Sequence, residues 1–477
     1  MKNPENLNII LITLDTARAR SFSVYGNSRK TTPFLDDFSK ECVVYRRCYA
    51  PSPWTSPSHA SLFTGLYPSQ HGVFDYFNLQ LSRNFYTIPE ILSAAGYRTL
   101  GISCNALINR TSGFGRGFEW FSNVALPYDD AEVERIRATL DVPWHRQIKV
   151  FFKDSLWAGK TIPLIKAKIN SYYMNRVMEK SFFATRKAMT NGINVIRNSH
   201  YPFFLFINLM ETHTVYNPPV DYRNKFVRDN SAMEKKLFLA QRYDMAYYSQ
   251  RIDITAEEFE YLKSLYEEAL LFLDNFIENI VTELQKKKIL DSTMLIITGD
   301  HGEHVGEKGH FTHVFSLYNE VLHVPLIIKY PYGFPAPSVN DSVVQLNDIF
   351  ATTLDVTGLE YPSPDTSISL VGKDRRESAF AQYYLSREYF FKSLKYQNPD
   401  YDVAFFPYDY SMLALIQDRH KIIKKYKTDR SYEYEFYEIT ENAHEESCNK
   451  AEDSTYLLKK IEEFEISTRW REIVEQS

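Results

Sequence analysis

Cysteine is scarce, with four residues (Cys42, Cys48, Cys104, Cys448) in a chain of 477. Their spacing fits no metal-binding pattern, and a chain this long does not depend on a disulfide framework. Cys48 reads as a buried, inert thiol. No apolar run approaches the ~20 residues that span a bilayer. A secretory leader is also missing: Met1 to Asn6 is polar, and Leu7 to Leu14 is too short for a signal core, so the expected location is cytoplasmic. Charge of one sign is not in excess. A net charge of −5 argues against nucleic acid as the main partner. There is no internal repeat and no low-complexity segment.

With 44% hydrophobic and 24% charged residues, the chain can bury a large core. Its 34 Tyr and 33 Phe are mostly core by expectation, with some left to line a substrate cleft. Four continuous apolar runs read as strands buried on both faces of a parallel sheet. They are Asn8–Leu14, Thr99–Ser103, Phe203–Leu209 and Met294–Gly299. Two of them end on carboxylates, Asp15 and Asp300, and the second is followed by His301. Ligands of open α/β sheets bind beyond the C-terminal ends of such strands. Val43–Tyr45 is a further strand. Thr32-Pro33 starts a helix, Ile88–Tyr97 is a helix stopped by Gly96, and Tyr266–Lys287 is a long amphipathic helix.

The stretch with most chemical content is Ala50–Gly72, A-P-S-P-W-T-S-P-S-H-A-S-L-F-T-G-L-Y-P-S-Q-H-G. Ala60–Gly65 reads as a short helix, Ser56–His59 as the turn before it, and Thr55 as a nucleophile. A hydroxyl just before a helix N-terminus faces unpaired N–H groups and the positive end of the dipole, where an anionic ester can be held. The order of residues resembles the signature of the sulfatase branch of the alkaline phosphatase superfamily. There, Cys or Ser, any residue, Pro, Ser and Arg precede a short helix ending in Leu-Thr-Gly. Pro57, Ser58, Leu62-Phe63-Thr64-Gly65, Tyr67-Pro68 and His71-Gly72 match, while Thr55 and His59 depart from the pattern. Leu14–Ala19 with Tyr25-Gly26 resembles the first metal-binding strand of the family, with Thr16 where many relatives have Asp or Gln. Met210–Pro219 resembles its substrate-binding histidine loop, and Gly299–Glu303 with Leu317–Ile328 its second metal-binding segment.

The resemblance implies an alkaline-phosphatase-like α/β fold over 1–360, with a largely parallel sheet flanked by helices. A helical insertion falls at about 129–197, and a smaller α+β subdomain with an antiparallel sheet occupies 361–477. One divalent cation would be held by Asp15, Asp300, His301, the Thr55 oxygen and, more weakly, Thr16. Mixed O and N ligands suit Mn, Zn, Mg or Ca, with Mn or Zn slightly favoured. His213 and His313 would contact substrate or move protons, Asn105 would contact substrate, and His59 would support the nucleophile.

Family sulfatases convert Cys or Ser to formylglycine; threonine, with a methyl on Cβ, does not give that aldehyde. Thr55 therefore favours attack on phosphorus, in a phosphate mono- or diester or a phosphonate ester, over true sulfatase activity. Sulfuric ester hydrolysis, phosphoryl transfer and a non-catalytic anion-binding role stay open as alternatives. The expected substrate is an anionic small-molecule, glycan or lipid ester. The basic aromatic stretch Trp144–Lys153 reads either as a membrane-surface or partner-docking helix or, preferably, as an amphipathic insertion packed on the core.

Overall fold

The computed structural model describes residues 7–124, 184–199, 202–440, 444–448 and 454–475; the stretch Trp144–Lys153 lies outside them. The first strands are β1 (Asn8–Leu14), β2 (Val43–Tyr49), β3 (Arg98–Ser103), β4 (Trp120–Asn123), β5 (Phe203–Leu209) and β6 (Thr293–Gly299). A small hairpin follows, β7 (His304–Val305) with β8 (Phe311–Thr312), then β9 (His323–Lys329) and β10 (Ser338–Gln345). Apart from the hairpin, these form one eight-stranded sheet in the order β10-β2-β9-β6-β1-β5-β3-β4. Neighbours are parallel except at β9, which runs against both β2 and β6.

All seven residues of β1 are buried, which follows from its central place between β5 and β6. Its side chains alternate between two cores. Ile9 and Leu11 join Phe204, Phe206 and Ile296 on one face, under the helices Thr55–Thr64 and Asp348–Thr357. Ile10, Ile12 and Leu14 join Leu205, Ile207 and Ile297 on the other, against the helix Ala256–Lys286. That helix starts ten residues before the expected Tyr266. Thr255 and Glu258 form a capping box at its start, and this local signal outweighs the weaker apolar period of the first turns. Strand β2 runs on to Tyr49 instead of stopping at Tyr45, because β9 and β10 pair with it on both sides across an irregularity between Tyr45 and Cys48.

Five antiparallel strands make the second sheet: β11 (Ser378–Tyr383), β12 (Tyr410–Gln417), β13 (His420–Lys427), β14 (Tyr432–Ile439) and β15 (Glu445–Ser447). Leu413 and Leu415 of β12 face the helix Ser454–Thr468, packing on Leu457, Ile461 and Phe464. Met412, Ala414 and Ile416 face the other way and share a core with Tyr49, Trp54, Phe315 and Leu322. The second sheet is thus fused to the end of the first sheet that carries Thr55. Tyr361, Leu370 and Val371 still pack on the first core. No described helix is long and apolar enough to cross a membrane.

His71 ties the helix Thr55–Thr64 to the turn that follows it. Its Nδ1 accepts from the Val73 N–H at 3.1 Å, and its Nε2 meets Ser61 Oγ at 3.0 Å. Burial pushes its pKa down to about 3. The unfolded chain takes up a proton below about pH 6.5 that the folded ring refuses, so this contribution to stability is full above pH 6.5 and lost as pH falls towards 3. In His71→Asn that dependence is gone. The stability gap between wild type and variant, measured by urea unfolding at pH 7, 6 and 5, is expected to shrink by about 1.4 kcal/mol per pH unit below pH 6. A gap that stays constant would contradict the assignment.

Candidate active site

The helix carrying Thr55 spans Thr55–Thr64 and every residue in it is buried. It begins at Thr55, not at the expected Ala60. Ser56–His59 are therefore its first turn, and Pro57 is accommodated there because first-turn N–H groups have no intrahelical acceptor. Gly65, at φ 76°, ends the helix. Trp54 precedes it and offers no side-chain cap, so the first-turn amides and the positive end of the dipole are left to meet an anion at Thr55.

Asp15 follows β1 and Asp300 follows β6, and the register pairs Leu14 with Gly299. Adjacent parallel strands thus bring the two carboxylates side by side. Close backbone packing brackets the second one: a Cβ at Gly299 would lie 2.3 Å from Ala17 O, and one at Gly302 would lie 2.1 Å from Glu320 O. His301 Nδ1 sits 2.9 Å from Gly302 O and so carries the proton, which leaves Nε2 as a bare acceptor. Nε2 lies 3.5 Å from Asp300 Oδ2, 3.8 Å from Asp15 Oδ1 and 3.4 Å from Thr55 Oγ1. Burial, followed by His313, drives the His301 pKa well below its ordinary value. Burial and the Asp300 charge push the Asp15 carboxyl up.

Ligand atoms of Asp15, Asp300 and His301 all lie within 4.8 Å of one another, and Asp15 Oδ1 has no hydrogen-bond partner. Three acceptors facing one buried point are stabilised by a cation, and an O,O,N set fits Mn, Zn or Mg.

Other expected residues surround this cluster. His59 Nδ1 lies 3.0 Å from Thr55 O and 3.3 Å from Asp300 Oδ2, with Nε2 3.3 Å from Thr13 Oγ1. Burial works against its charged form, but Asp300 and Asp15 outweigh this and raise its pKa. It touches the backbone of Thr55 rather than the hydroxyl. Asn105 and Thr16 have partners that residue order does not show. Asn105 Nδ2 donates to Asp15 Oδ2 at 2.7 Å and its Oδ1 accepts from Leu107 N–H at 2.8 Å, so it orients a carboxylate. Thr16 lies beside both carboxylates. In the left-handed region (φ 61°), it turns Oγ1 onto Asp15 O at 2.6 Å and gives its N–H to Asp300 Oδ1 at 3.1 Å.

His213 and His313 stand together, with ring centroids 5.2 Å apart, and His313 lies 4.6 Å from the His301 ring. His213 Nδ1 is tied to Thr214 O at 2.6 Å. His313 Nδ1 meets Glu303 Oε1 at 3.0 Å. Burial opposes the His313 charge, yet Glu303 outweighs it and the pKa is raised. Glu303 is fully buried, and residue order gives it no role of its own; its position two residues after His301 is the available signal. Asp244, whose Oδ2 accepts from Thr312 Oγ1 at 3.3 Å, escapes sequence reasoning altogether, because Tyr243–Tyr248 has no motif. The buried Arg18 clamps the loop behind the site through Glu307 Oε1 at 2.7 Å and Glu303 O at 3.1 Å.

A mostly parallel sheet flanked by helices, with facing carboxylates at its C-terminal edge beside a hydroxyl at a helix start, places the site where open α/β sheets bind ligands. Residues 7–359 match the model of the Sulfatase family, and the chain belongs to that family, whose enzymes use a divalent metal ion. It is 24% identical over 438 residues to an N-acetylglucosamine-6-O-sulfatase of Bacteroides thetaiotaomicron, covering 79% of this chain and 74% of that one. With arylsulfatase K of Mus musculus it shares 26% over 384 residues, covering 76% of this chain and 63% of the relative. The chain thus spans less than two thirds of arylsulfatase K. Among solved structures, the phosphonate monoester hydrolase of Agrobacterium radiobacter aligns over 98% of this chain and 96% of its own, with TM-score 0.67 and 17% identity.

Added Mn or Zn is expected to raise the thermal midpoint of the wild type, and Asp300→Asn to abolish that rise. Asn105→Ala should keep the rise but need about 10–100-fold more metal, read by titrating the midpoint. Equal responses from all three proteins would remove the metal assignment.

Proposed function

We propose that this sulfatase-family hydrolase cleaves phosphate or phosphonate esters with Thr55 as nucleophile. The observation that carries the reading is the hydroxyl of Thr55, at the first position of a buried helix and 3.4 Å from His301 Nε2. Where family sulfatases carry a residue convertible to formylglycine, this chain carries one that is not. A bound divalent cation, held by Asp15, Asp300 and His301, would supply charge neutralisation and a lowered hydroxyl pKa. The rest falls to the chain itself. The helix start holds a non-bridging oxygen, and Thr55 Oγ1, its proton released to solvent, attacks phosphorus in line as the bond to the leaving oxygen breaks. His313, whose pKa Glu303 raises, gives its proton to the departing oxygen. Once neutral, His313 takes a proton from the water that frees phospho-Thr55.

A second reading, hydrolysis of sulfuric esters, is favoured by the sulfatase names of the relatives aligned over most of this chain. The two separate in one assay. Metal-loaded protein is expected to cleave aryl phosphate and phosphonate esters faster than aryl sulfates, and Thr55→Ala to lose the activity. Faster sulfate cleavage would select the second reading, and turnover retained in Thr55→Ala would exclude Thr55 chemistry.

The acid role of His313 has its own signature. A proton donor works below its pKa and fails above it, so activity is lost on the alkaline side. Glu303→Gln removes the main influence raising that pKa. The alkaline limb of kcat/KM should move to lower pH, with kcat reduced ~10²–10⁴-fold in His313→Asn. An unmoved limb in Glu303→Gln would take the acid role away from His313.

A further inference from the structure

His313 stands at the end of a hairpin too small to hold itself. Strands β7 and β8 have two residues each, paired as His304 with Thr312 and Val305 with Phe311, and a lone two-stranded hairpin is marginal in water. Glu303 leads into the hairpin and His313 leads out of it. The contact between their side chains, 3.0 Å from Glu303 Oε1 to His313 Nδ1, therefore depends on where β8 runs. Arg18 fixes the β7 side, through Glu303 O at 3.1 Å and Glu307 Oε1 at 2.7 Å. The β8 side is held from another element.

That element is the short helix Asp244–Tyr248. Tyr248 Oη donates to Phe311 O at 2.7 Å and accepts from the Phe311 N–H at 3.0 Å. One phenol thus takes both backbone groups of one strand residue, as a neighbouring antiparallel strand would. Phe311 and Tyr248 are both buried, where an unpaired N–H and C=O are costly. Two flanking contacts run the same way. Tyr247 Oη donates to Gly309 O at 3.1 Å, and Asp244 Oδ2 accepts from Thr312 Oγ1 at 3.3 Å. The helix grips Gly309, Phe311 and Thr312, and the next residue is His313. The Tyr248 ring is itself wedged edge-on against Phe315 at 4.9 Å and Tyr408 at 5.6 Å, so the phenol is a fixed support.

We propose that Tyr248, seconded by Asp244 one helical turn before it, is a positioning residue that keeps the His313 imidazole at the leaving oxygen. The inference rests on the reading of His313 as the proton donor. Tyr248 acts through the Phe311 backbone and adds no chemistry of its own: the proton that the leaving oxygen takes still comes from His313. Without the hydroxyl, β8 is free to shift, and a displacement of about 1 Å costs on the order of 10²-fold in rate. The anion at the start of the helix Thr55–Thr64 is held by a different element and stays bound. Departure of an oxygen that needs protonation suffers, whereas departure of a stable anion does not.

The test is Tyr248→Phe, which keeps the ring and removes the hydroxyl. The metal-loaded full chain is assayed with phenyl and 4-nitrophenyl esters of whichever acid, phosphoric or sulfuric, it cleaves. On the phenyl ester, whose leaving group needs a proton, kcat is expected to fall about 10–100-fold with KM within about twofold. On the 4-nitrophenyl ester, whose leaving anion is stable, the loss should stay under about threefold. In the His313→Asn background, Tyr248→Phe should cost less than about twofold more. Equal losses on the two esters, an unchanged phenyl ester kcat, or the full loss repeated in His313→Asn overturns the positioning role, because a general loosening of the fold acts on both esters and both backgrounds alike. Should Tyr248→Phe not fold, Asp244→Ala, which frees Thr312, is expected to show the same ester dependence with a smaller loss, and equal losses from it overturn the role. A loss in His313→Asn with none in Tyr248→Phe refutes Tyr248 alone. If His313→Asn loses nothing, or neither ester is turned over, the donor role of His313 and the role of Tyr248 fall together.

Discussion

Two carboxylates and a bare imidazole nitrogen, all three side chains buried, face one another, and most of the surrounding structure exists to hold them there. Parallel strands lie about 4.8 Å apart, so the in-register pairing of β1 with β6 decides that Asp15 and Asp300 are neighbours. Left alone they repel, and burial followed by this repulsion raises the Asp15 pKa. The fold accepts this because each group is pinned from behind: Asp15 by Asn105, Asp300 by the N–H groups of Thr16 and His301, and His301 by Gly302 O. A mutation that slips one strand by a single residue would dismantle the site without touching any of its side chains.

Much of this is legible in the sequence. A seven-residue apolar run between polar residues buries both of its faces only inside a sheet covered on two sides. Asn8–Leu14 and Phe203–Leu209 accordingly have in the structure the boundaries that their composition predicts. Asp15, Thr55, Asp300 and His301 follow from strand ends and motif order, and they lie together. Side-chain direction is what residue order does not carry. Asn105 and Thr16 fall in the expected neighbourhood but on different partners, because the rotamer of an amide and a left-handed φ leave no trace in the order of residues. Local signals are also lost where one pattern masks another. The capping box at Thr255 is hidden ahead of a stronger apolar period, and the proline at position 57 conceals a helical first turn.

Asp244 and Glu303 mark the limit in a different way. Glu303 stands inside a recognisable run but gains its meaning only from His313, ten residues later and across a hairpin turn. Asp244 belongs to no run at all; its place depends on how a five-residue helix meets the β8 turn. Groups that act on another group's charge or position are visible only once distances are known, which is why charge and position are read from the fold.

The fusion of the second sheet to the first bears on how such a chain can change over time. Trp54, beside the nucleophile, shares its core with Met412, Ala414 and Ile416 of β12. The two sheets are therefore not exchangeable parts. Transplanting the C-terminal sheet of a relative would bring a new outer pocket but also shift the ground under the attacking hydroxyl.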